Sequence, residues 1–391
     1  MNLTVLDVET SISNKGNPFD STNKLCAVGI RAVQKDITYA LKIEHGDEPY
    51  GWNLTKLKML LTENTDLLIG FNIKFDLNWL YRYGITYNEK IWDCQLFEYF
   101  ASNQNWIFPD LKTACEKRSI PLQKFEEIEQ YWDDGINTVD IPWHIVEQRV
   151  IGDVQLTWEL YQKQLEVFNT WSKARQNLFR LHCADLLVLH QIERNGFHYD
   201  EEKSKAEADQ TSARLLEIKD RVYDLLCDRR INLDSNDHLS AVLYGGTIKY
   251  ETKVENGTFK TGAKAGQTKY KWEEEVVTYP RLVEPLEHTQ GAKDGIFSVD
   301  KGVLGKLLWK RLNKRTKELI ELIIEYSREQ RSLTSYSSGL PKLIEKMHWP
   351  RNMLHGSINQ CVVRTGRTSS SKPNLQNFDG DLKGLFTSRY L

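Results

Sequence analysis

The chain begins with short apolar runs that have the length and composition of strands. Leu3–Val8, Leu25–Ala32 and Ile37–Ile43 are separated by loops containing Gly, Asn, Asp and Ser, which predicts three neighbouring strands. A fourth apolar run, Asp66–Phe71, precedes a helical pattern through Asn78–Tyr83. Later apolar spacing predicts helices near 94–102, 110–118 and 142–169. The first 165 residues are therefore expected to form an α/β domain.

Residues 170–350 carry a mostly helical pattern. One helix, closed by Asn195–Gly196, is expected to bury an apolar stripe, and Leu304–Tyr326 predicts a single long, partly basic helix. The stripe consists of Leu178, Leu181, Val188, Leu189 and Ile192. Between these helices, about 245–295 is polar, with alternating Thr, Lys, Tyr and Val and several glycines. This segment predicts β-hairpins or a mobile loop.

Composition is that of a globular protein with two or three domains. The chain has 391 residues, of which 40% are hydrophobic. It contains no apolar run of about 18 residues, so no membrane span is expected. The first residues lack the features of a signal peptide, which favours a cytoplasmic location. The six cysteines are scattered without a C-x-x-C pair, so neither a zinc site nor a disulfide framework is expected.

Charge is divided unevenly along the chain although the net charge is only −2. Residues 1–170 hold 16 Lys and Arg against 25 Asp and Glu, whereas the remainder holds 36 against 29. An acidic first part suits a metal-dependent site, and a basic second part suits a phosphate backbone. Chance surface decoration is the alternative interpretation.

Four acidic residues have positions that favour a shared site. Asp7 and Glu9 end the first strand on one face, because strand side chains alternate. Asn72 is expected to cap the next helix and Asp76 to lie in its first turn, where an acid is also favoured by the helix dipole. Asp153 lies on the inward face of the helix over 142–169, where an acid is costly unless it is paired or bound to metal.

Together these acids resemble the DEDD 3′–5′ exonuclease superfamily in order, in flanking elements and in the N-x-x-F-D block at 72–76. The resemblance implies an RNase H-like domain with a mixed sheet. It also implies that Asp7, Glu9, Asp76 and Asp153 hold two divalent metal ions, Mg²⁺ or Mn²⁺. Asn72 is expected to contact DNA. The family carries Tyr four residues before the last Asp, or His five before it, where this chain has Arg149 and Gln148.

Arg149 therefore departs from the family pattern. A residue four positions before Asp153 shares its helical face, so Arg149 is expected to reach the site. Arginine cannot act as a base, but it can bind a phosphate or neutralise charge. His144 is an alternative group for orienting water. A vestigial site whose acids still bind metal is the other interpretation.

The second half carries two further resemblances. Asn232–Gly246 resembles the N-x-x-S-x-x-x-L-x-x-x-L-[FY] block of family A DNA polymerase thumbs, and Phe297–Asp300 and Leu319–Ser332 also match the thumb pattern. The segment 306–317 is expected to place many cations on one helix that grips duplex phosphates without reading sequence. The cations chosen as DNA contacts are Lys310, Arg311, Lys314 and Arg315.

Arg364–Asn377 reads RTGRTSSSKPNLQN and resembles the family A signature TGR-x-SSS-x-PNLQN, which lies where the polymerase palm begins. The resemblance implies that Arg367 contacts the minor groove of the primer–template, with Asn374, Gln376 and Asn377 nearby. The alternative is that these polar side chains only order a loop. The acidic motif that holds the polymerase metals is expected after this block and is absent from the sequence.

The chain is thus expected to be the N-terminal part of a phage-type family A DNA polymerase. The predicted domains are an exonuclease at 1–169, a thumb at 170–350 with an insertion at about 245–295, and the beginning of a palm at 351–391. The predicted activity is proofreading removal of 3′-terminal nucleotides from single-stranded or frayed DNA, without polymerisation. A separate C-terminal polymerase chain is an expected partner. The alternative function is a non-catalytic DNA-binding scaffold subunit.

Overall fold

The computed structural model describes residues 1–122, 125–258, 260–262, 266–291, 293–378 and 381–387. They form two compact units, one comprising 1–201 with 340–391 and the other comprising 202–339. The limits of these units differ from those of the predicted domains at 1–169, 170–350 and 351–391. They differ because the segments before and after the second unit in the chain both pack into the first unit. The domain limits stay a prediction.

The first unit is built on a five-stranded sheet. Its strands are β1 (Leu3–Thr10), β2 (Leu25–Ala32), β3 (Ile37–Lys42), β4 (Leu67–Gly70) and β5 (Lys90–Asp93), in the order β3-β2-β1-β4-β5. The first three pair antiparallel, whereas β1 with β4 and β4 with β5 pair parallel. The predicted α/β fold with a mixed sheet is confirmed. β5 was not predicted, because only Ile91 and Trp92 of its four residues are apolar and no apolar run marks it.

Helices cover the sheet. They are α1 (Gly51–Glu63), α2 (Ile73–Arg82), α3 (Cys94–Ala101), α4 (Leu111–Lys117), α5 (Glu126–Asp133), α6 (Trp143–Thr170) and α7 (Lys173–Asn195). The long helix α6 packs against β1, β2 and β3. Rings from β5, α3, α6 and α7 contact one another in an aromatic cluster. This cluster explains why α7 belongs to the first unit. No helix in the described ranges has the length and apolarity to cross a membrane.

The buried face of α7 differs from the predicted stripe. Leu178, Leu181 and Val188 are exposed, and the buried side chains include Phe179, Cys183, Leu186, His190 and Glu193. Two of these are polar and find hydrogen-bond partners inside the protein. The predicted stripe was therefore wrong. The reason is that the buried face of α7 is partly polar, and a search for apolar spacing does not find such a face.

The second unit contains most of the remaining elements. After β6 (Phe197–Tyr199), the chain forms α8 (Glu201–Leu226), α9 (Asn236–Tyr244), β7 (Gly246–Thr258), β8 (Thr268–Tyr279), α10 (Lys301–Leu307) and α11 (Lys314–Ser332). Strands β7 and β8 pair antiparallel, which confirms a hairpin within 245–295. In the core of the second unit, α8, α9, α10 and α11 pack around Tyr244, Leu307 and Ile320.

The predicted single helix over Leu304–Tyr326 is interrupted. α10 ends at Leu307, and Asn313 begins α11 by accepting a hydrogen bond from Thr316 N at 2.8 Å. An Asn side chain at this position satisfies a backbone donor that a continuous helix would have used. The cations of 306–317 therefore lie on two helices and the turn between them, not on one helix.

The chain then returns to the first unit. Its last elements are α12 (Gly339–Lys346), β9 (Met353–Leu354), β10 (Ser357–Asn359), β11 (Ser369–Ser371) and β12 (Phe386–Thr387). β10 pairs with β11, and β6 lies between β12 and β9. Phe108 N donates to Cys361 O at 2.9 Å and Tyr99 Oη to Val363 O at 2.7 Å, so this segment contacts the α3 side of the unit directly.

Close packing of α6 on the sheet depends on Gly29. A Cβ at this position of β2 would lie 2.7 Å from Val150 O and 2.8 Å from Val154 Cγ2 of α6. We expect Gly29→Ala to lower the free energy of unfolding by about 1–3 kcal/mol, because overpacking forces the helix outward. Urea denaturation measures this change.

Gly51→Ala in α1 is the matched control, because a Cβ there meets nothing within 4 Å. Alanine in place of glycine in a helix is neutral or stabilising by up to about 1 kcal/mol. Equal stabilities of the wild type and Gly29→Ala would show that α6 does not need this close approach.

Candidate active site

The central strand β1 presents the first two predicted acids. Asp7 and Glu9 lie two residues apart and so share a face of the strand. β1 is flanked by β2 and β4, which holds the strand rigidly. Asp7 lies opposite Gly29 in the β1–β2 register. Because Gly29 has no side chain, α6 can pack closely on the face of the sheet that carries Asp7. Helix α6 carries Asp153.

Helix α2 presents the third predicted acid. Asn72 occupies the N-cap position with φ 58°, but its side chain makes no capping hydrogen bond. The expected cap was therefore wrong. Asp93 at the end of β5 provides it instead, accepting from Ile73 N at 2.7 Å and also from Leu96 N of α3 at 2.7 Å. Asp76 lies in the first turn of α2, as the sequence predicts.

The structure brings three of the four acids into direct proximity. Asp7, Glu9 and Asp153 each offer an oxygen within 4.8 Å of the others. Asp76 lies outside this group but is only 2% exposed. Its Oδ2 has no hydrogen-bond partner within the described residues. A buried carboxylate oxygen without a donor is rare, which makes this atom a candidate ligand for a cation.

Burial perturbs all four carboxyl groups, and repulsion from nearby acids adds to its effect. Burial raises the pKa of Asp7 well above its ordinary value, and Asp153, Asp76 and Glu9 add to the effect. Burial and Asp153 raise the pKa of Glu9 to about 8. Burial also raises the pKa of Asp153 to about 6 against the opposing effect of Arg149. Without cations, the carboxyl groups of this cluster therefore resist ionisation.

Burial raises the pKa of Asp76 well above its ordinary value too. The nearby Asp93 adds to this rise, and a hydrogen bond with the backbone of Val8 opposes it. Val8 lies between Asp7 and Glu9 on β1, so the carboxyl group of Asp76 reaches the strand at the position of the other acids.

Arg149 reaches the acidic cluster from one turn earlier on α6. Its Nε lies 2.9 Å from Asp153 Oδ2 and 3.6 Å from Glu9 Oε1. Its guanidinium carbon lies 4.9 Å from the ring centroid of Phe125 and 5.9 Å from that of Trp132. Aromatic faces attract a cation, so these rings help to hold the guanidinium beside the carboxylates.

A cleft of about 370 Å³ opens beside Arg149 and Asp153. Its other walls include Lys112 and Leu111 from α4 and Phe125 and Glu129 from the α5 region. Sequence reasoning missed Lys112, Phe125 and Trp132, because neither α4 nor the α5 region carries a recognised motif. A smaller cleft of about 190 Å³ includes Asn72 and Phe75 among its walls.

The predicted thumb contacts differ in their surroundings. Lys310 Nζ donates to Glu284 O at 3.2 Å, and Arg315 donates to Leu225 O. All four residues are exposed. Arg315 is thus engaged in holding its own unit together, while Arg311 and Lys314 present their charges to solvent.

The RTGRTSSSKPNLQN block contains β11 and a short 3₁₀ turn at Leu375–Asn377. Arg367 is exposed in the loop before β11. Asn374 Oδ1 accepts from Ser370 Oγ at 3.0 Å, and Gln376 Nε2 donates to Thr368 O at 3.2 Å. The side chains of Asn374 and Gln376 therefore order this loop, and Asn377 ends its 3₁₀ turn.

Comparison with known proteins gives matches in both halves of the chain. Residues 5–165 match the family model described as 3′-5′ exonuclease, and residues 277–385 match DNA polymerase family A. A DNA polymerase of Bacillus phage SP01 is 22% identical over 86% of this chain and 38% of its own length. DNA polymerase I of Pseudomonas aeruginosa is 23% identical over 83% of this chain and 31% of its own length.

A solved structure shows the same fold. It is described as the POL domain of Pol1 from M. smegmatis in complex with DNA primer-template and dNTP, and it matches with a TM-score of 0.65 at 15% identity. The match covers 96% of this chain and 52% of the other. The chain thus spans between about a third and a half of the proteins that it resembles. The two family matches, together with these relatives, show that the chain belongs to the family A DNA polymerases, with a 3′–5′ exonuclease domain at 5–165 and a match to DNA polymerase family A at 277–385.

Proposed function

We propose that this chain removes nucleotides from the 3′ end of DNA by metal-dependent hydrolysis of the phosphodiester bond, as a proofreading exonuclease. The observation that supports this most directly is the cluster of Asp7, Glu9 and Asp153 oxygens within 4.8 Å of one another. The unpartnered Oδ2 of Asp76 supports it further. Buried carboxyl groups placed this closely become fully ionised at neutral pH only when cations accompany them.

The donor set fits divalent cations that prefer oxygen. Asp7, Glu9, Asp76 and Asp153 would hold Mg²⁺ or Mn²⁺, and raised pKa values are expected for such a cluster before the cations bind. Two bound ions would activate water and stabilise the leaving oxygen. The carboxylates themselves are held on β1, α2 and α6, which orients them before substrate arrives.

Arg149 is placed to bind the scissile phosphate. Its guanidinium lies beside two of the carboxylates and at the wall of the 370 Å³ cleft. Guanidinium cannot accept a proton, so Arg149 does not activate water and instead binds phosphate oxygens. Phe125 offers a ring on which the terminal base stacks, and Lys112 a charge for the adjoining phosphate.

The other proposed contacts concern the DNA backbone and grooves. Exposed Arg311 and Lys314 would bind duplex phosphates, and exposed Arg367 would reach the minor groove of a primer–template. A separate C-terminal polymerase chain and a cytoplasmic location stay predictions from the sequence.

One observation favours a second function, that of a non-catalytic scaffold. Arg149 forms ion pairs with both Asp153 and Glu9, and so neutralises part of the cluster without any metal ion. A site in which this arginine replaced the metals would bind DNA without cutting it.

The proposed activity is tested by incubating the protein with a 5′-labelled single-stranded DNA oligonucleotide and Mg²⁺. We expect a ladder that shortens from the 3′ end, and its loss in Asp7→Ala or with a chelator. Asp47→Ala, which changes an exposed acid, is the matched control and is expected to be fully active. Absence of a ladder even with Mn²⁺ and excess protein would contradict the proposed exonuclease activity and favour the scaffold function.

Replacing Arg149 separates the two functions further. If Arg149 binds the scissile phosphate, Arg149→Met loses a charged hydrogen bond and kcat/KM falls by about 10–100-fold. Arg149→Lys keeps the charge and is expected to retain an intermediate rate. A higher rate in Arg149→Met than in the wild type would instead identify the arginine as an inhibitor of the site.

Stability without metal should fall as pH rises. The pKa of Glu9 is about 8 in the folded protein against an ordinary value of 4.5, so between these values the folded state keeps a proton that the unfolded chain loses. The stability contributed by this proton is complete below pH 4.5 and is lost as pH rises through 8. We expect the melting temperature in chelator to decrease from pH 5 to pH 8.

Glu9→Gln should flatten this pH dependence, whereas Glu63→Gln, which changes an exposed acid on α1, should leave it intact. Mg²⁺ should stabilise the wild type more at pH 8 than at pH 5, because the ligands must lose their protons to bind it. A melting temperature that is independent of pH in chelator would contradict the buried cluster.

A further inference from the structure

A buried ion pair lies on the side of α2 away from the acidic cluster. Lys74 Nζ is 2.5 Å from Glu193 Oε1 of α7, and their side chains are only 11% and 4% exposed. Removing two charges from water is costly unless further hydrogen bonds compensate. Hydrolysis as proposed above uses neither residue, so the pair requires another explanation.

Glu193 joins three separate segments of the first unit. Besides Lys74, its carboxylate accepts from Asn78 Nδ2 at 3.0 Å and from Ile358 N of β10 at 2.6 Å. Lys74 Nζ also donates to Ile358 O. The two side chains thus satisfy both backbone groups of one β10 residue, and they attach α2 and α7 to that strand. We call Lys74 and Glu193 the α2 bridge.

The α2 bridge and Asp76 occupy opposite faces of the same helix. Lys74 and Asn78 are four residues apart and share a face. Asp76 lies midway between them, about 200° around the helix from each, since an α-helix turns 3.6 residues per turn. Holding the Lys74 face against Glu193 therefore sets the rotation and depth at which Asp76 meets β1.

The other end of the α2 bridge reaches the RTGRTSSSKPNLQN block. Ile358 is paired with Ser370 of β11. Ser370 Oγ in turn donates to Asn374 Oδ1 and accepts from Gln376 N at 3.2 Å. Direct contacts consequently run from the loop that carries Arg367 to the helix that carries Asp76.

We propose that Lys74 and Glu193 are positioning residues that hold Asp76 in register with the other acids and tie that register to the β10–β11 hairpin. This rests on the proposed function only in taking Asp76 as a metal ligand. Outer partners of metal ligands commonly affect metal affinity by about 10–100-fold. An effect of this size is expected here although neither residue touches the metal.

The test measures Mn²⁺ binding to the full chain. Electron paramagnetic resonance detects the ion that remains free. We expect both Glu193→Gln and Lys74→Met to weaken Mn²⁺ affinity by about 10-fold or more. Glu98→Gln is the matched control, because Glu98 is also fully buried and paired with Arg118 at 2.9 Å but makes no contact with α2 among the described hydrogen bonds. Its Mn²⁺ affinity should equal that of the wild type.

The pair of variants distinguishes positioning from simple charge effects. Glu193→Gln leaves an extra positive charge near the site and Lys74→Met an extra negative one, so charge alone would change the Mn²⁺ affinity in opposite directions. Positioning lowers the affinity in both. Opposite changes, no change, or an equal loss in Glu98→Gln would each overturn the proposal.

Hydrogen exchange on the same variants tests the connection to the hairpin. The amides of the first turn of α2 and of β10 should exchange faster in both bridge variants and normally in Glu98→Gln; unchanged β10 amides would remove the hairpin from the proposal. If Lys74→Met does not fold, Asn78→Ala takes its place with the same expected direction. Because Mn²⁺ binding needs no turnover, a wild type that binds Mn²⁺ without degrading DNA would reject the exonuclease but not the α2 bridge.

Discussion

The close approach of four buried carboxyl groups is the constraint that the packing of the first unit has to withstand. Asp7, Glu9, Asp76 and Asp153 approach one another at the second half of β1, and repulsion from the neighbouring acids makes ionisation of Asp7 and Glu9 more difficult. Left alone, such groups would separate or draw in water. They stay together because the backbone elements that carry them are held by contacts elsewhere.

Those contacts are numerous on α2 and α6. Trp79 Nε1 donates to Gly16 O at 2.9 Å, and Arg82 donates to Asp20 O at 2.8 Å, which fastens α2 to the loop after β1. α6 is seated by the missing Cβ of Gly29. Packing and hydrogen bonds thus oppose the repulsion that a metal-free site contains, and cations would relieve it. The arrangement is typical of a site whose geometry is set before its ligands bind.

The sequence predicts well the features that depend on local periodicity. Asp7 and Glu9 follow from alternation along a strand, Asp76 from the start of a helix, and Asp153 from the inward face of α6. That β1, β2 and β3 are neighbouring strands follows from three successive apolar runs. Each of these predictions needs only the spacing of residues that are close along the chain.

Features that depend on distant partners were missed. Asn72 is a favourable cap by its residue type, yet Asp93 caps α2 from 20 residues away in the chain. The buried face of α7 includes Glu193, whose burial makes sense only with Lys74 and Ile358 beside it. Phe125 and Trp132 meet Arg149 only because α5 packs on α6. Local pattern carries no information about such meetings.

Asp93 illustrates how a structural residue can imitate a functional one. Its carboxylate begins both α2 and α3, so its loss would loosen two helices that start beside the sheet edge. One of them carries Asp76. A screen that scores only DNA degradation would group Asp93 with the metal-binding acids, although Asp93 has no part in the proposed chemistry. A companion measurement of folding would distinguish Asp93 from the metal-binding acids, because its role is to fix the start of the helix that carries Asp76.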